Sequence, residues 1–289
     1  MEKQAGTILP FIFDNIPLRG KIVTLKNLEN FIPSIKNADP FVQELLIQSL
    51  SVVVLFQHDL KVKQSLTLQI ISDSNIKLVI AQIMADGTIK AYANVLEENK
   101  IDNFKDFTKT NPKIIMTVEN NGNSYQSIIP VTKDTLKETF IDYYDKSVQN
   151  KTHLNFVEYK GTICTLMLQH TANEKLDEED WNRVKIMADS LKENEAEKLS
   201  NLEIIQRLFA EDDLRIFEEN KLEFYTTTDR ARMGKALKSL GVQQCTELLK
   251  DGDIEMVDQF SGLKETFNKD DIKNIFNYLK GEQNETTKK

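Results

Sequence analysis

Lys77-Leu78-Val79-Ile80-Ala81-Gln82-Ile83-Met84-Ala85-Asp86-Gly87-Thr88-Ile89-Lys90-Ala91-Tyr92-Ala93 sets two apolar runs on either side of an aspartate-glycine pair. Asp-Gly supplies the positive φ that a tight hairpin turn needs, so Lys77 to Met84 and Thr88 to Ala93 read as antiparallel neighbours. The arrangement recurs downstream, where Ile114 to Val118 and Tyr125 to Val131 flank Asn121-Gly122. Upstream, Ser65 to Ile70 reads as another strand, and Arg19 to Leu25 has the period-2 alternation of a strand with one buried face. Strands around His153 to Val157 and Ile163 to Gln169 follow. Helices fall between these groups: Asp134 to Lys146, and Phe41 to Leu60, which is apolar around most of its circumference and so belongs against a sheet. Hairpins separated by helices predict an α+β fold rather than a doubly wound parallel sheet.

Composition changes after residue 170. Thr171 to Glu223 holds sixteen acidic and eight basic residues, so this one segment carries the whole net charge of −8 while the rest balances at 29 against 29. Trp181, Val184, Met187 and Leu191 recur at helical spacing, and Ser200 with Glu203 forms a capping box before Ile204, Ile205, Leu208 and Phe209. The segment reads as a charged, amphipathic helical connector, with a pair of plain solvated surface helices as the simpler alternative.

Beyond it the chain is short and punctuated. Asp229 to Leu240 is a helix stopped by Gly241, and Cys245 to Lys250 is a short helix ending at Asp251-Gly252. Ile254 to Val257 pairs with Glu265 to Phe267, and Asn268 caps a last helix carrying Ile272, Ile275, Phe276 and Leu279. The organisation expected is a core domain over 1–170, a linker over 171–220, a small α+β domain over 221–280 and a disordered tail over 281–289. Phe224, Leu237, Leu240, Leu248, Ile254, Met256, Phe267, Ile272 and Phe276 are the expected core of the small domain.

The bulk properties exclude several function classes. A net charge of −8 disfavours a nucleic-acid backbone or an anionic membrane as the main partner. The longest apolar stretch, Leu45 to Phe56, is too short to cross a bilayer, and residues 1–7 lack a secretory-signal pattern, so a cytoplasmic protein is expected. Two cysteines, Cys164 and Cys245, exclude a disulfide framework. Cys164 lies in an apolar strand and reads as inert, whereas Cys245, beside a glycine, reads as partly exposed but without an activating base. His58, His153 and His170 show no metal-ligand spacing, and no phosphate-binding or nucleophile-elbow motif occurs. Gly20, Gly87, Gly122 and Gly161 fit turns, and Glu178, Glu179 and Asp180 suit a helix N-terminus. The sequence therefore nominates no catalytic, cofactor-binding or metal-ligating residue.

Several stretches, by their number and order, resemble the heat-shock protein 33 family. They are Leu18-Arg19-Gly20-Lys21-Ile22-Val23, Leu45-Leu46, Leu60-Lys61, Ser65 to Ile70, Lys77 to Ala81 and Ala85-Asp86-Gly87. Tyr125-Gln126-Ser127-Ile128, Tyr143-Tyr144, Trp181, Arg207-Leu208-Phe209 and Leu214-Arg215-Ile216-Phe217 follow in the same order. The resemblance implies an ATP-independent holdase that binds unfolding proteins, forms a homodimer and is switched by zinc release with disulfide formation. It also implies four zinc-binding cysteines, spaced C-x-C and C-x-x-C. In the matching frame stand Thr226, Thr228, Asp258 and Ser261. Hydroxyls and one carboxylate cannot supply the thiolate field of a structural zinc or form disulfides. The switch is therefore expected to be absent, leaving a holdase that is constitutive or gated by heat. A dedicated interaction adaptor on the same scaffold is the alternative, and an enzyme would require His153 or His170 to meet a carboxylate in a pocket.

Overall fold

The computed structural model describes residues 3–60, 64–98, 100–120, 122–171 and 175–276. Asn121, Lys61, Leu279 and the tail over 281–289 lie outside these. The chain divides into two compact units, one through Tyr225 and one from Thr226.

The first unit opens with an unforeseen strand, β1 (Gln4–Phe13), paired along its length with β2 (Leu18–Leu25). Two short helical turns, α1 (Leu28–Phe31) and α2 (Pro33–Lys36), lead to α3 (Pro40–Gln57). Pro33 and Pro40 each stand at a helix start, where the missing N–H costs nothing. Fourteen of the eighteen residues of α3 are buried. By length and composition α3 could cross a membrane, but its place here is the interior of the unit, which accounts for its apolar circumference.

Next comes a meander of β3 (Ser65–Ile71), β4 (Ile76–Ile83) and β5 (Thr88–Val95). Gly87 turns between the last two with φ +90, and Asp86 accepts a hydrogen bond from the Thr88 amide at 2.9 Å. After α4 (Phe104–Thr108), the hairpin of β6 (Lys113–Asn120) and β7 (Asn123–Pro130) adds to β3. Helix α5 (Leu136–Tyr143) runs on as a π turn through Val148, where the sequence suggested regular helix. Strands β8 (Thr152–Tyr159) and β9 (Thr162–His170) then form a hairpin through Lys160-Gly161, both at positive φ, and β9 pairs with β2.

The acidic segment folds inside this unit as α6 (Glu178–Asp189), α7 (Glu193–Lys198) and α8 (Asn201–Leu208), followed by β10 (Leu214–Ile216) and β11 (Asn220–Phe224). Both of these strands pair with β1. The sheet order is β7-β6-β3-β4-β5-β11-β1-β2-β9-β8, and β11, parallel to β5, is the strand that joins its two antiparallel blocks.

Strand β2 departs from the expectation of one buried face. Val23 and Leu25 pack on the α3 side, while Leu18 and Ile22 pack under the acidic helices, so both faces are covered. Alternation survives only as Arg19 and Lys21, which found partners of their own. Gly20 is likewise no turn residue: it lies in mid-strand opposite Phe11.

The second unit comprises α9 (Arg230–Leu240), α10 (Val242–Leu248), the hairpin β12 (Ile254–Val257) with β13 (Lys264–Phe267), and a helix over 269–276. Asp229 and Asn268 cap its first and last helices, and Gly241 ends α9 at φ +95. Met233, Leu237, Cys245, Ile254, Phe267 and Ile272 form its core. Phe224 instead belongs to the first unit, and Leu240 and Leu248 are exposed, because the short helices turn those positions outward.

Candidate functional site

The face of β1, β2, β8 and β9 opposite α3 is apolar: Leu9, Phe11, Phe13, Leu18, Ile22, Val157, Leu166 and Leu168 lie on it. Such a face would be insoluble if open to water, and helices α6 to α8 roof it. Trp181, Val184, Ala188, Ala196, Ile204, Ile205, Leu208 and Phe209 point down, while the acidic side chains stay outside. Phe209 meets the rings of Phe11 and Phe13 at 5.8 and 5.1 Å. Gly20 makes this packing possible, since a Cβ there would sit 2.1 Å from the Phe11 ring.

Polar contacts hold the roof down. Asn201 is buried at the start of α8; it accepts from Thr24 Oγ1 at 2.6 Å and donates to Thr7 Oγ1 at 2.9 Å and Glu219 at 3.1 Å. Asn155 donates to the Ala188 carbonyl at 3.0 Å. Arg183 grips Asp212 with both terminal nitrogens, at 3.0 and 2.6 Å. Each is a hydrogen bond worth about 1 kcal/mol, rising to about 3 where charged, so the latches are individually breakable.

Across the sheet, Lys21 lies buried with Nζ 2.6 Å from Asp59 and 2.8 Å from the Leu55 carbonyl. A cation at the C-terminal end of α3 complements its dipole. Arg19 joins Asp59 at 3.3 Å and Gln169 at 2.8 Å, and burial draws the Lys21 amine down to about 8 against the pull of Asp59. The Arg19-Gly20-Lys21 tripeptide thus has two duties. Its cations fasten the end of α3, and its glycine admits Phe11.

His153 does meet a carboxylate: Nε2 is 2.9 Å from Asp189, on the rim of a cleft that includes Thr132, Lys133, Glu138 and Lys151. Burial lowers the His153 pKa despite Asp189, and among the described residues its hydrogen bonds reach no serine, threonine or cysteine. The contact ties β8 to α6. Cys164 is fully buried, and burial raises its thiol to about 11. Cys245, expected to be partly exposed, is fully buried too, with Sγ 3.4 Å from the Leu237 carbonyl, because it fills the core of the second unit.

In that unit, Asp258 is fully buried and accepts from Arg232 at 3.0 Å and from the Phe260 and Ser261 amides at 2.9 and 3.0 Å. Thr228 donates to Glu265, which also binds Arg230; Arg230 continues to Asp271 at 3.0 Å. Both arginines lie over rings, Arg230 on Phe267 and Arg232 on Phe260. The result joins the start of α9 to the β12–β13 hairpin.

A family model described as Hsp33 protein matches residues 6–268, nearly the whole chain. The chain belongs to the Hsp33 family. The 33 kDa chaperonin of Hahella chejuensis is 27% identical over 278 residues, covering 94% of this chain and 98% of that protein. The 33 kDa chaperonin of Neisseria meningitidis serogroup A is 28% identical over 271 residues, covering 92% and 90%. The crystal structure of the Thermotoga maritima 33 kDa chaperonin, an Hsp33 homologue, superposes with a TM-score of 0.73 at 17% identity, over 94% of this chain and 98% of that one. The α+β architecture read from the hairpins is therefore the Hsp33 fold.

A zinc of the kind the resemblance implies does not suit the donors at the four positions of the matching frame. Of Thr226, Thr228, Asp258 and Ser261, only Asp258 is anionic, and its carboxylate is already shared by Arg232 and two amides. An arginine 3.0 Å from the one carboxylate opposes a divalent cation. The pairing of Arg232 with Asp258 joins residues 26 apart in the chain and has no local signal in the sequence.

Proposed function

We propose that this protein is an ATP-independent holdase that binds unfolding polypeptides and keeps them from aggregating, without the zinc and disulfide switch that its family resemblance implies. One observation carries the reading: an extensive apolar sheet face is roofed by three helices through apolar packing and a small set of polar contacts. Lifting α6 to α8 would offer Leu9, Phe11, Ile22, Leu166 and their neighbours to an exposed apolar client, each large side chain worth about 1.5–3 kcal/mol when covered. The family match over residues 6–268 and the chaperonin relatives support it.

With arginine–carboxylate pairs in place of metal, heat is the natural trigger, because a small unit with a six-residue core is only marginally stable. The working partners are unfolded clients and a second copy of the chain, in the cytoplasm; nucleic acid and membranes have no part, and no metal or other cofactor is required.

The test is light scattering of a chemically unfolded client enzyme diluted into reduced, chelator-treated protein. Suppression at near-stoichiometric ratio, directly or after mild heating, is the expected result. Absence of suppression in both states would instead favour a dedicated adaptor with one specific partner.

A further inference from the structure

Strand β11 is lightly paired on its β5 side and occupies the position that joins the sheet's two antiparallel blocks. It pairs with β5 only at Thr88 and Ile89, two of that strand's eight residues. With β1 it matches four positions and slips in register near Gln4, whereas β1 and β2 match at seven without a break. Its amides nevertheless reach both sides: Glu223 donates to the Gly87 carbonyl at 3.3 Å, Phe224 to Lys3 at 2.8 Å and Tyr225 to Ile89 at 2.9 Å. Only Leu222 and Phe224 are driven inward, each 3% exposed, with Phe224 stacked on Phe31 at 4.4 Å. Lys221 and Glu223 remain in solvent. The strand is also joined directly to the connector on one side and to the second unit, from Thr226, on the other.

From this we infer that the slot between β5 and β1 is a peptide-binding site in which β11 is the resident, displaceable occupant. The ligand that fits is an extended polypeptide segment with large apolar residues at alternate positions, the Leu-x-Phe pattern of β11 itself. Main-chain hydrogen bonds to β5 and β1 would bind it without regard to sequence, and the Leu222 and Phe224 pockets would select apolar side chains. An unfolded protein presents such segments, so the inference rests on the holdase reading for its natural ligand. In the closed protein the tethered strand competes at an effective concentration of about millimolar, which excludes a micromolar peptide.

The probe is a fluorescent nonapeptide with the sequence of residues 218–226, followed by anisotropy, with a scrambled peptide as control. Full-length protein carrying Leu222→Asp and Phe224→Asp should bind the probe about a hundredfold more tightly than wild type and should ignore the scrambled form. As a second arm, Gln4→Cys with Glu223→Cys, exposed register partners, locks β11 by a disulfide. Mild heating should then induce probe binding in the wild type and in the reduced double-cysteine protein but not in its oxidised form.

Equal binding of both peptides by the opened variant, or heat-induced binding unaffected by the lock, would overturn the slot. Client light scattering on the same samples separates the two ideas. Suppression of aggregation without probe binding removes the slot and leaves the holdase; probe binding without suppression does the reverse.

Discussion

Arg232 lies 3.0 Å from the carboxylate of Asp258, which has no exposed surface, while the arginine side chain remains 44% exposed. Removing the exposed partner therefore strands the buried one. Arg232→Leu should destabilise the second unit by about 2–4 kcal/mol, because an unpaired buried charge costs more than the pair contributes. Hydrogen exchange in the full chain should show faster exchange over 226–276 with the sheet unaffected. Unchanged protection in that segment would mean that the two Asp258-bound amides suffice.

The same contact bears on metal. Chelator should leave the melting temperature of the purified protein unchanged, and elemental analysis should find less than about 0.1 zinc per chain, since a structural zinc would contribute roughly 10–16 kcal/mol of binding to folding. A stoichiometric zinc content would refute the proposed metal-free state.

Gly20 tolerates no side chain beneath Phe11. Gly20→Ala should cost about 1–3 kcal/mol, the usual penalty of overpacking, and Phe11→Ala in the same background should recover part of it. Thermal melts of the two single variants and the double variant measure the coupling; simple additivity would show that the two do not conflict.

Lys21 and Asp59 should respond unequally. Asp59→Asn leaves the buried ammonium without its counter-charge and should cost about 3–5 kcal/mol, whereas Lys21→Met leaves Asp59 partly solvated beside Arg19 and should be within about 1 kcal/mol of wild type. Chemical denaturation of both at pH 7 decides this. With Lys21 intact, stability should rise as pH climbs from about 8 to about 10, because the folded state releases that proton first.

Glu158 has the opposite sign. Burial beside Glu44 raises its carboxyl to about 7, although Gln48 donates to it at 2.9 Å. The folded state therefore holds a proton that the unfolded chain loses near 4.3, and stability falls as pH rises between the two values. Glu158→Gln should be more stable than wild type by about 1–3 kcal/mol at pH 8 and equal to it at pH 4. A gain independent of pH would point to packing instead.

The sequence alone determined the elements whose signals are local. Asp86-Gly87 places a turn wherever it occurs, Ser200 with Glu203 caps a helix by contacts three residues apart, and Gly241 stops one. Period-2 and helical spacing placed most of the longer strands and helices for the same reason, and the order of many short matches identified the family.

Tertiary structure decided what depends on partners distant in the chain. Strands β10 and β11 are too short and polar to announce themselves and exist because β1 offers them hydrogen bonds from 200 residues away. The second buried face of β2 appears only when α6 to α8 fold back over it, turning an apparent linker into a roof. Gly20 passed for a turn residue because its need for space comes from Phe11 on the neighbouring strand, and Arg232 meets Asp258 across 26 residues of chain. Local chemistry is written in neighbouring residues, whereas burial and pairing arise only once the sheet has closed.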